Sequence, residues 1–364
     1  MEEALERIKF SEVAAALKDT NHPFPPRLLR GFSDLFPRDI KEFIPIWQDI
    51  SITRKISLLE DLEELTEKDT LVCFDEVAKA VINDLDPRVR VLSIRLLWES
   101  EDSKLVPILI ELMLEDVDEG VRSTAASLLG HFVYLGELEE ISDTVKISAV
   151  KNLLDVVLSE EVSQVRMRAL ESLGYSSHPK VPALIKAAYD SKENLWVACA
   201  LCAMGRSADD QWFEFVQEKL DSNDSDIKFE AARAAGELEI PTALDHLFTM
   251  VEEEDFDSEI RLAAIWSLSQ IGGREVKDKL QELLRDSDSE EEIEWLEKAL
   301  ENLEISSSSD GLNFLNFKPQ GNVDDEDEDD DLDDLDELDE DDGFGDVDFD
   351  SLDEDDDDDD EEDD

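Results

Sequence analysis

The chain has 364 residues, 41% of them hydrophobic, and a formal net charge of −64 at pH 7. A charge of this sign repels nucleic acids and anionic membrane surfaces, because both normally bind proteins through basic patches. We therefore expect no direct binding of nucleic acid or membrane, whereas a basic protein or peptide would be attracted.

Cysteine content and the N-terminal residues indicate the compartment. The three cysteines, Cys73, Cys199 and Cys202, do not suggest a disulfide framework, and this favours a reducing environment. The first residues, MEEALERIKF, resemble neither a secretory signal nor a transit peptide. No apolar run approaches the roughly 20 residues that a transmembrane helix needs. These features predict a cytoplasmic protein.

Residues 1–50 are predicted to form a helical N-terminal cap, with breaks at the prolines between residues 23 and 37. The segment RDIKEFIPIWQDI places Ile40, Phe43, Ile44 and Trp47 on one helical face, which we expect to be buried.

Residues 51–304 contain a repeated pattern, seen in DPRVRVLSIRLL from Asp86, DEGVRSTAASLLG from Asp118 and DSDIKFEAARAAGEL from Asp224. A large apolar residue recurs at intervals of 31 to 44 residues, after a weaker start at Thr53. The recurring positions are Val89, Val121, Val165, Trp196, Ile227, Ile260 and Ile293. Regular spacing of this kind is typical of stacked helical repeats.

Each repeat has recognisable helix signals. An aspartate suited to capping the helix precedes four of the markers, at Asp86, Asp118, Asp224 and Asp257. A cation lies four residues after each of these aspartates, at Arg90, Arg122, Lys228 and Arg261, and can pair with it across the first turn. Arg54 and Arg166 extend this column of cations. A glycine is expected to end several of the helices, at Gly130, Gly174, Gly205, Gly236 and Gly272.

A pair of antiparallel helices in each repeat cannot bury its apolar faces alone but can do so by stacking. The predicted fold is therefore all-α, an α-solenoid of about eight helical pairs. The Asp-x-x-Val-Arg-x-x-Ala-x-x-x-Leu-Gly pattern, with Val-Pro opening the next helix at Val106 and Val181, resembles the short bacterial HEAT repeat named after phycobilisome lyases. The resemblance covers about residues 50–304.

The resemblance implies scaffolds and adaptors, together with a few enzymes. One HEAT-like enzyme hydroxylates a modified lysine at a di-iron centre held by repeated His-Glu pairs. This chain has four histidines, none of them followed by Glu, so we expect neither that activity nor a bound metal. We also expect no cofactor, because nothing beyond the repeat itself points to a tetrapyrrole.

The helix NLWVACALCAMG differs from its counterparts. Val197 replaces the cation of the other repeats, and the Cys202 position holds Arg95, Glu171 or Arg233 elsewhere. The apolar surface is either covered by the chain, for which the extra residues after His131 are candidates, or a docking face for a partner. The docking residues would be Leu195, Trp196, Val197, Cys199 and Cys202. The two cysteines lie mid-helix and are expected to pack as small apolar side chains.

Residues 305–323 are predicted to be a flexible linker, and residues 324–364 a disordered acidic tail. The tail has 31 acids in 41 residues and no base, while residues 1–323 have 67 acids against 34 Lys and Arg. Apolar residues among the acids, and others in the linker, could grip a basic and partly apolar surface. The candidates are Phe314, Leu315, Phe317, Phe344 and Phe349.

The sequence thus predicts a non-catalytic scaffold or adaptor, whose repeats bind a protein or peptide and whose tail engages basic surfaces. One alternative is a chaperone that shields basic proteins by imitating the charge of nucleic acid. Another is a subunit of a lyase or protein-modification enzyme of the phycobilisome-lyase type. The sequence leaves the oligomeric state open.

Overall fold

The computed structural model describes residues 8–19, 22–159, 161–252 and 257–312, with side chains up to residue 305. These residues form helices joined by turns and loops and contain no β-strand, which confirms the all-α class. None of the described helices is long and apolar enough to cross a bilayer. The chain divides into two compact units, Met1–Pro182 and Ala183–Asp364.

The first unit consists of short helical pairs and one 3₁₀ segment, Pro26–Phe32. Its helices are α1 (Phe10–Lys18), α2 (Pro37–Asp49), α3 (Ile52–Lys68), α4 (Asp75–Val81), α5 (Pro87–Arg95), α6 (Leu105–Glu115), α7 (Glu119–Glu137), α8 (Asp143–Val157) and α9 (Ser163–Leu173). The odd-numbered helices α3, α5, α7 and α9 carry the repeated sequence pattern, and we call them the motif helices. Each motif helix packs on the next, while α4, α6 and α8 pack along their sides.

The second unit repeats this organisation, after the helix α10 (Val181–Tyr189) that begins in the first unit. Its further helices are α11 (Asn194–Arg206), α12 (Phe213–Lys219), α13 (Ser225–Glu237), α14 (Leu244–Glu252), α15 (Ser258–Ile271), α16 (Arg274–Asp286) and α17 (Glu290–Leu312). Here α11, α13, α15 and α17 are the motif helices, and each packs on the next.

The recurring apolar residue anchors six of the motif helices, whereas Ile293 on α17 is half-buried and Thr53 on α3 is exposed. Val89, Val121, Val165 and Trp196 have no solvent exposure, and Ile227 and Ile260 are buried. Small residues four positions later let the neighbouring helix approach, and all of them are fully buried: Ser93, Ala125, Ala169, Ala200, Ala231 and Ala264. Burial of these side chains supplies the main driving force for stacking.

Three of the five expected helix-ending glycines are not helix ends. Gly130, Gly205 and Gly236 lie inside α7, α11 and α13, whereas Gly174 and Gly272 do cap α9 and α15. The internal glycines mark close contacts instead. A β-carbon added at Gly236 would lie 2.6 Å from the backbone of Ser267 on α15.

The same device occurs once in each unit. Ser172 of α9 faces Gly130 of α7 and donates its hydroxyl to the carbonyl of Ala126 at 2.8 Å. Ser267 of α15 faces Gly236 of α13 and donates to the carbonyl of Ala232 at 2.7 Å. In both cases the glycine leaves room for a serine hydroxyl to bond the helix backbone four residues before it.

Two other segments are distinctive, one by its length and one by the face it presents to the core. The extra residues after His131 lengthen a helical pair, because α7 has 19 residues and α8 has 15. In the N-terminal segment, α2 buries Phe43, Ile46 and Trp47, while Ile44 is 37% exposed. The predicted face was therefore wrong at Ile44, since the helix presents Ile46 to the core instead.

Substitution of Gly236 by alanine should destabilise the second unit. The added methyl group must displace the backbone of Ser267, and overpacking of this kind costs about 1–3 kcal/mol. Chemical denaturation monitored by circular dichroism would measure the loss. Ser225→Ala, at an exposed position in the first turn of the same helix, is the control and should change stability much less. Equal stability of the two variants would contradict the close contact.

Candidate functional site

Aspartates cap four of the motif helices through their side chains. Asp86 accepts the amide of Arg88, Asp118 that of Val121, Asp224 that of Ile227 and Asp257 that of Glu259. The donor–acceptor distances are 2.9 to 3.1 Å. These side chains satisfy backbone amides that a helix N-terminus leaves without partners. Their role is structural, so they are poor candidates for a binding site.

The cations of the motif helices pair with the following repeat and not, as predicted, with their own cap. Arg90 binds Asp116 through Nε and Nη2 at 2.8 and 2.6 Å. Arg122 binds Glu161 through two nitrogens, both at 2.9 Å. In the second unit, Arg261 binds Glu292 at 2.8 Å. The partner in each case precedes or opens the next motif helix, and we call this series the inter-repeat ladder.

In the first repeat, the cation of the ladder lies one residue later than the sequence pattern predicted. Ser51 caps α3, so Lys55, four residues later, takes the place assigned to Arg54. Lys55 binds Asp84 at 2.7 Å. Arg54 instead donates to the carbonyls of Ala16 and His22 and so ties α3 to the N-terminal segment.

The acidic partners also hold their own loops. Asp84 accepts the amide of Asp86 at 3.0 Å, and Asp116 accepts the amide of Asp118 at 2.9 Å. One carboxylate thus orders the loop before a helix cap and binds the preceding repeat. Charge-assisted bonds of this kind are stronger than neutral ones.

The remaining positions of the cation column, on α9, α11 and α13, differ from one another. Arg166 is fully buried, and its Nε donates to the carbonyl of Val157 at 3.2 Å. Lys228 occupies the same place on α13 and is partly buried. Val197 supplies no cation on α11.

The predicted docking face on α11 is mostly inaccessible. Trp196, Val197, Cys199 and Cys202 are at most 6% exposed, and only Leu195 among the predicted docking residues is exposed, at 56%. These four side chains are therefore buried within the chain. Within the second unit, α13 packs directly against α11.

A buried polar network lies between α11 and α13. Arg233 donates through Nη2 to the Cys202 sulfur at 3.2 Å, and its Nε bonds Glu237 at 3.2 Å. Burial lowers the pKa of the Arg233 guanidinium, but its interactions with Cys202, Glu230 and Glu237 outweigh this and raise it overall. Burial also raises the pKa of the Glu237 carboxyl, against the opposing influence of Arg233 and Arg206. Cys202 therefore serves as a hydrogen-bond acceptor for the next repeat.

The predicted binding residues of the linker and tail lie outside the described residues. Residues 313–364 are outside them, including Phe314, Leu315, Phe317, Phe344 and Phe349. The described residues contain no group of three or more side chains that could hold a metal ion. A groove of about 350 Å³ between α3 and α5, which the sequence did not reveal, is lined by residues including Ile56, Glu60, Arg88, Val91 and Leu92.

Removal of a ladder cation should destabilise the first unit. Arg122→Met leaves Glu161 with a partly buried, uncompensated charge and removes the bond to the carbonyl of Asp116. We expect a loss of about 1.5–3 kcal/mol, the usual value for a hydrogen bond to a charged group. The matched control is Arg88→Met, which removes an exposed pair with Asp86 and should leave the unfolding free energy essentially unchanged. Similar losses in both variants would argue against the ladder.

Stability should fall with acid in a way that depends on Asp84. Burial raises the pKa of this carboxyl, but bonds from Lys55, Asp86 and Trp47 outweigh it and hold the pKa below its ordinary 3.8. The ionised carboxylate therefore stabilises the fold above about pH 4, and this contribution is lost as the pH falls through the lowered pKa. Unfolding free energies of wild type and Asp84→Asn, measured between pH 7 and 3, should converge at the acidic end. A constant difference across this range would refute the assignment.

The repeats match a known family, and the chain resembles several solved structures. The HEAT repeat family matches residues 74–174 and 213–301. Comparison with curated protein sequences gives no significant match.

Three of the similar structures illustrate the range of proteins concerned. The Escherichia coli protein YibA is 15% identical, over 76% of this chain and 96% of that one, with a TM-score of 0.38. Human deoxyhypusine hydroxylase is 18% identical, over 81% and 96%, with a TM-score of 0.28. Kap121p, in a complex with Ste12p, is 13% identical, over 85% of this chain and 39% of that one, with a TM-score of 0.37.

Scores this low carry no conclusion about activity or partners. The family match is different, because it covers more than half of the sequence and coincides with the stacked motif helices, their caps and their ladder. The chain belongs to the HEAT repeat family.

Proposed function

We propose that this chain is a non-catalytic scaffold or adaptor that binds a basic protein or peptide on the surface of its repeats. HEAT repeats are typical of protein-interaction scaffolds, since stacked helices offer a long surface on which a partner can lie. The main support for a basic partner is that the cations of the inter-repeat ladder are buried in ion pairs, while the surplus acids are not.

The ladder places its cations between repeats and away from solvent. The side chains of Lys55, Arg90 and Arg122 are 11%, 10% and 14% exposed, and each pairs with a carboxylate. Residues 1–323 nevertheless have 67 acids against 34 Lys and Arg. Each ladder pair holds one cation and one carboxylate and is therefore neutral, so the whole surplus of carboxylates lies elsewhere, mainly on the surface. Such a surface attracts positively charged partners and accelerates their encounter.

The tail would assist this recruitment. Its 31 acids extend the negative field, while Phe344 and Phe349 offer apolar contacts between them. Phe314, Leu315 and Phe317 in the linker would act similarly. In this proposal the repeats select the partner and the tail raises the rate of encounter.

Partner capture at two salt concentrations tests whether the repeats or the tail select the partner. The baits are the full chain, a chain ending after Leu312 that keeps every described residue, and the segment 313–364. A fourth bait, the same segment with its Leu, Val and Phe replaced by Ser, keeps the charge and controls for apolar contacts. We expect discrete partners on the first two baits that survive high salt, because buried contacts are screened less than exposed charges.

The opposite result would favour the chaperone alternative. Basic proteins held only by baits that contain 313–364, lost at high salt and displaced by added nucleic acid, would make charge imitation the function. A chromophore or small molecule that co-purifies with the full chain and absorbs light would instead favour the enzyme-subunit alternative.

A further inference from the structure

Three aromatic residues, two of them exposed and the third half-buried, lie at the C-terminal ends of three successive motif helices. Trp98 follows α5, Tyr134 lies in the last turn of α7, and Tyr175 follows α9. Trp98 is 49% exposed and Tyr134 is 44% exposed. The rings of Tyr134 and Tyr175 are 5.4 Å apart and inclined at 58°. We call Trp98, Tyr134 and Tyr175 the aromatic edge.

Hydrogen bonds between the helix ends hold the aromatic edge in place. Glu137, at the end of α7, accepts bonds from the amide and the hydroxyl of Ser177, which follows α9, both at 2.9 Å. His131 of α7 lies close to the backbone of Ser100 after α5. The backbone that carries the three rings is therefore held in place by neighbouring helix ends, so little conformational entropy would be lost on binding.

The surroundings of the aromatic edge are acidic. Segments 96–101, 131–142 and 173–177 contain five glutamates and no Lys or Arg. Of these, Glu99, Glu101, Glu139 and Glu140 are exposed. Lys146, close by on α8, already pairs with Glu137 and Asp143 at 3.8 and 3.7 Å, and Arg95 pairs with Glu63 at 2.7 Å.

Three of these glutamates lie near His131. Burial lowers the pKa of the His131 imidazole, and Glu101, Glu140 and Glu99 all act in the opposite direction, which places them near its ring. The C-terminal ends of α5, α7 and α9 also lie at this edge, and the helix dipole favours positive charge there.

We propose that the aromatic edge binds the lysine or arginine side chains of a basic peptide segment. An ammonium or guanidinium group over an exposed aromatic ring gains about 0.5–1 kcal/mol, and the surrounding glutamates add charge attraction. A second copy of the chain is a poor occupant, because each copy has a net charge of −64. The inference rests on the proposed function, since it specifies where a basic partner would be held.

The spacing of the helices suggests the spacing of the cations. Packed helices lie about 8–10 Å apart, and α5, which precedes Trp98, packs directly on α7, which carries Tyr134. An extended peptide covers about 10 Å in three residues. A segment with two arginines three positions apart would thus place one on Trp98 and the other on the tyrosine pair.

Photo-cross-linking with a defined probe tests this site in the full chain. The probe is a peptide with two arginines three positions apart in a Ser-Gly background and a photoreactive group, and its match has glutamine in place of arginine. At about 0.15 M salt, cross-links mapped by mass spectrometry should fall in 96–101, 131–142 and 173–177, as well as in the tail. The glutamine peptide should label neither region.

Variants separate the aromatic edge from the tail. Each of Trp98→Ala, Tyr134→Ala and Tyr175→Ala should weaken labelling of the three segments by about two- to fivefold, as the loss of one exposed cation–aromatic contact predicts. Tail labelling should not change and serves as the internal reference. Trp98→Phe and Tyr134→Phe keep a ring and should retain most of the labelling. Trp295→Ala removes a 37% exposed tryptophan in the second unit and is the matched control.

Each outcome has a distinct meaning. Labelling of the tail alone, or equal losses in Trp98→Ala and Trp295→Ala, would overturn the aromatic edge and leave the proposed function standing. No labelling of the wild-type chain anywhere would overturn the preference for a basic partner itself.

Discussion

A cation four residues after a helix cap binds the carboxylate that precedes or opens the next motif helix, and this contact joins successive repeats at the edge of their apolar packing. Arg90 with Asp116, Arg122 with Glu161 and Arg261 with Glu292 repeat the arrangement. A buried or half-buried charge is costly without its partner. Each repeat therefore supplies the charge that its neighbour needs, so repeats stabilise one another in series, as expected for a quasi-one-dimensional array.

This arrangement links the fold to the charge of the surface. The ladder cations are at most 23% exposed in the four pairs described, and each is neutralised by one carboxylate, so the ladder leaves the surplus of acids unchanged. The excess of acids in residues 1–323 thus remains on the outside. Self-repulsion of a highly charged chain opposes compaction. Non-polar burial and the ladder must therefore hold the repeats against that repulsion, while the same field attracts basic partners.

Glycine has a related role in bringing the motif helices together. Gly130 and Gly236 were expected to end helices, yet each accommodates a serine of the next motif helix. The Leu-Gly pattern is the same whether a helix stops or continues, because a glycine inside a helix is tolerated at a cost of about 1 kcal/mol. The role of these glycines becomes clear only from the neighbouring helix, whose serine occupies the space that a larger side chain would fill. A similar ambiguity explains the wrong face predicted for α2. Ile44 and Ile46 are both apolar, but only Ile46 is buried.

The sequence by itself determined the period, the helical class, the capping aspartates and the buried markers such as Val89 and Val121. These depend on interactions within one or two turns, which local spacing encodes. Tertiary structure decided the partner of Arg90, the exchange of Arg54 for Lys55 in the ladder, and the burial of α11 from Trp196 onward. It also brought Trp98, Tyr134 and Tyr175 to one edge, although they are separated by about one repeat each in the chain. The reason is physical: contacts between repeats join residues 26 to 46 positions apart, and no local pattern specifies which side chains meet.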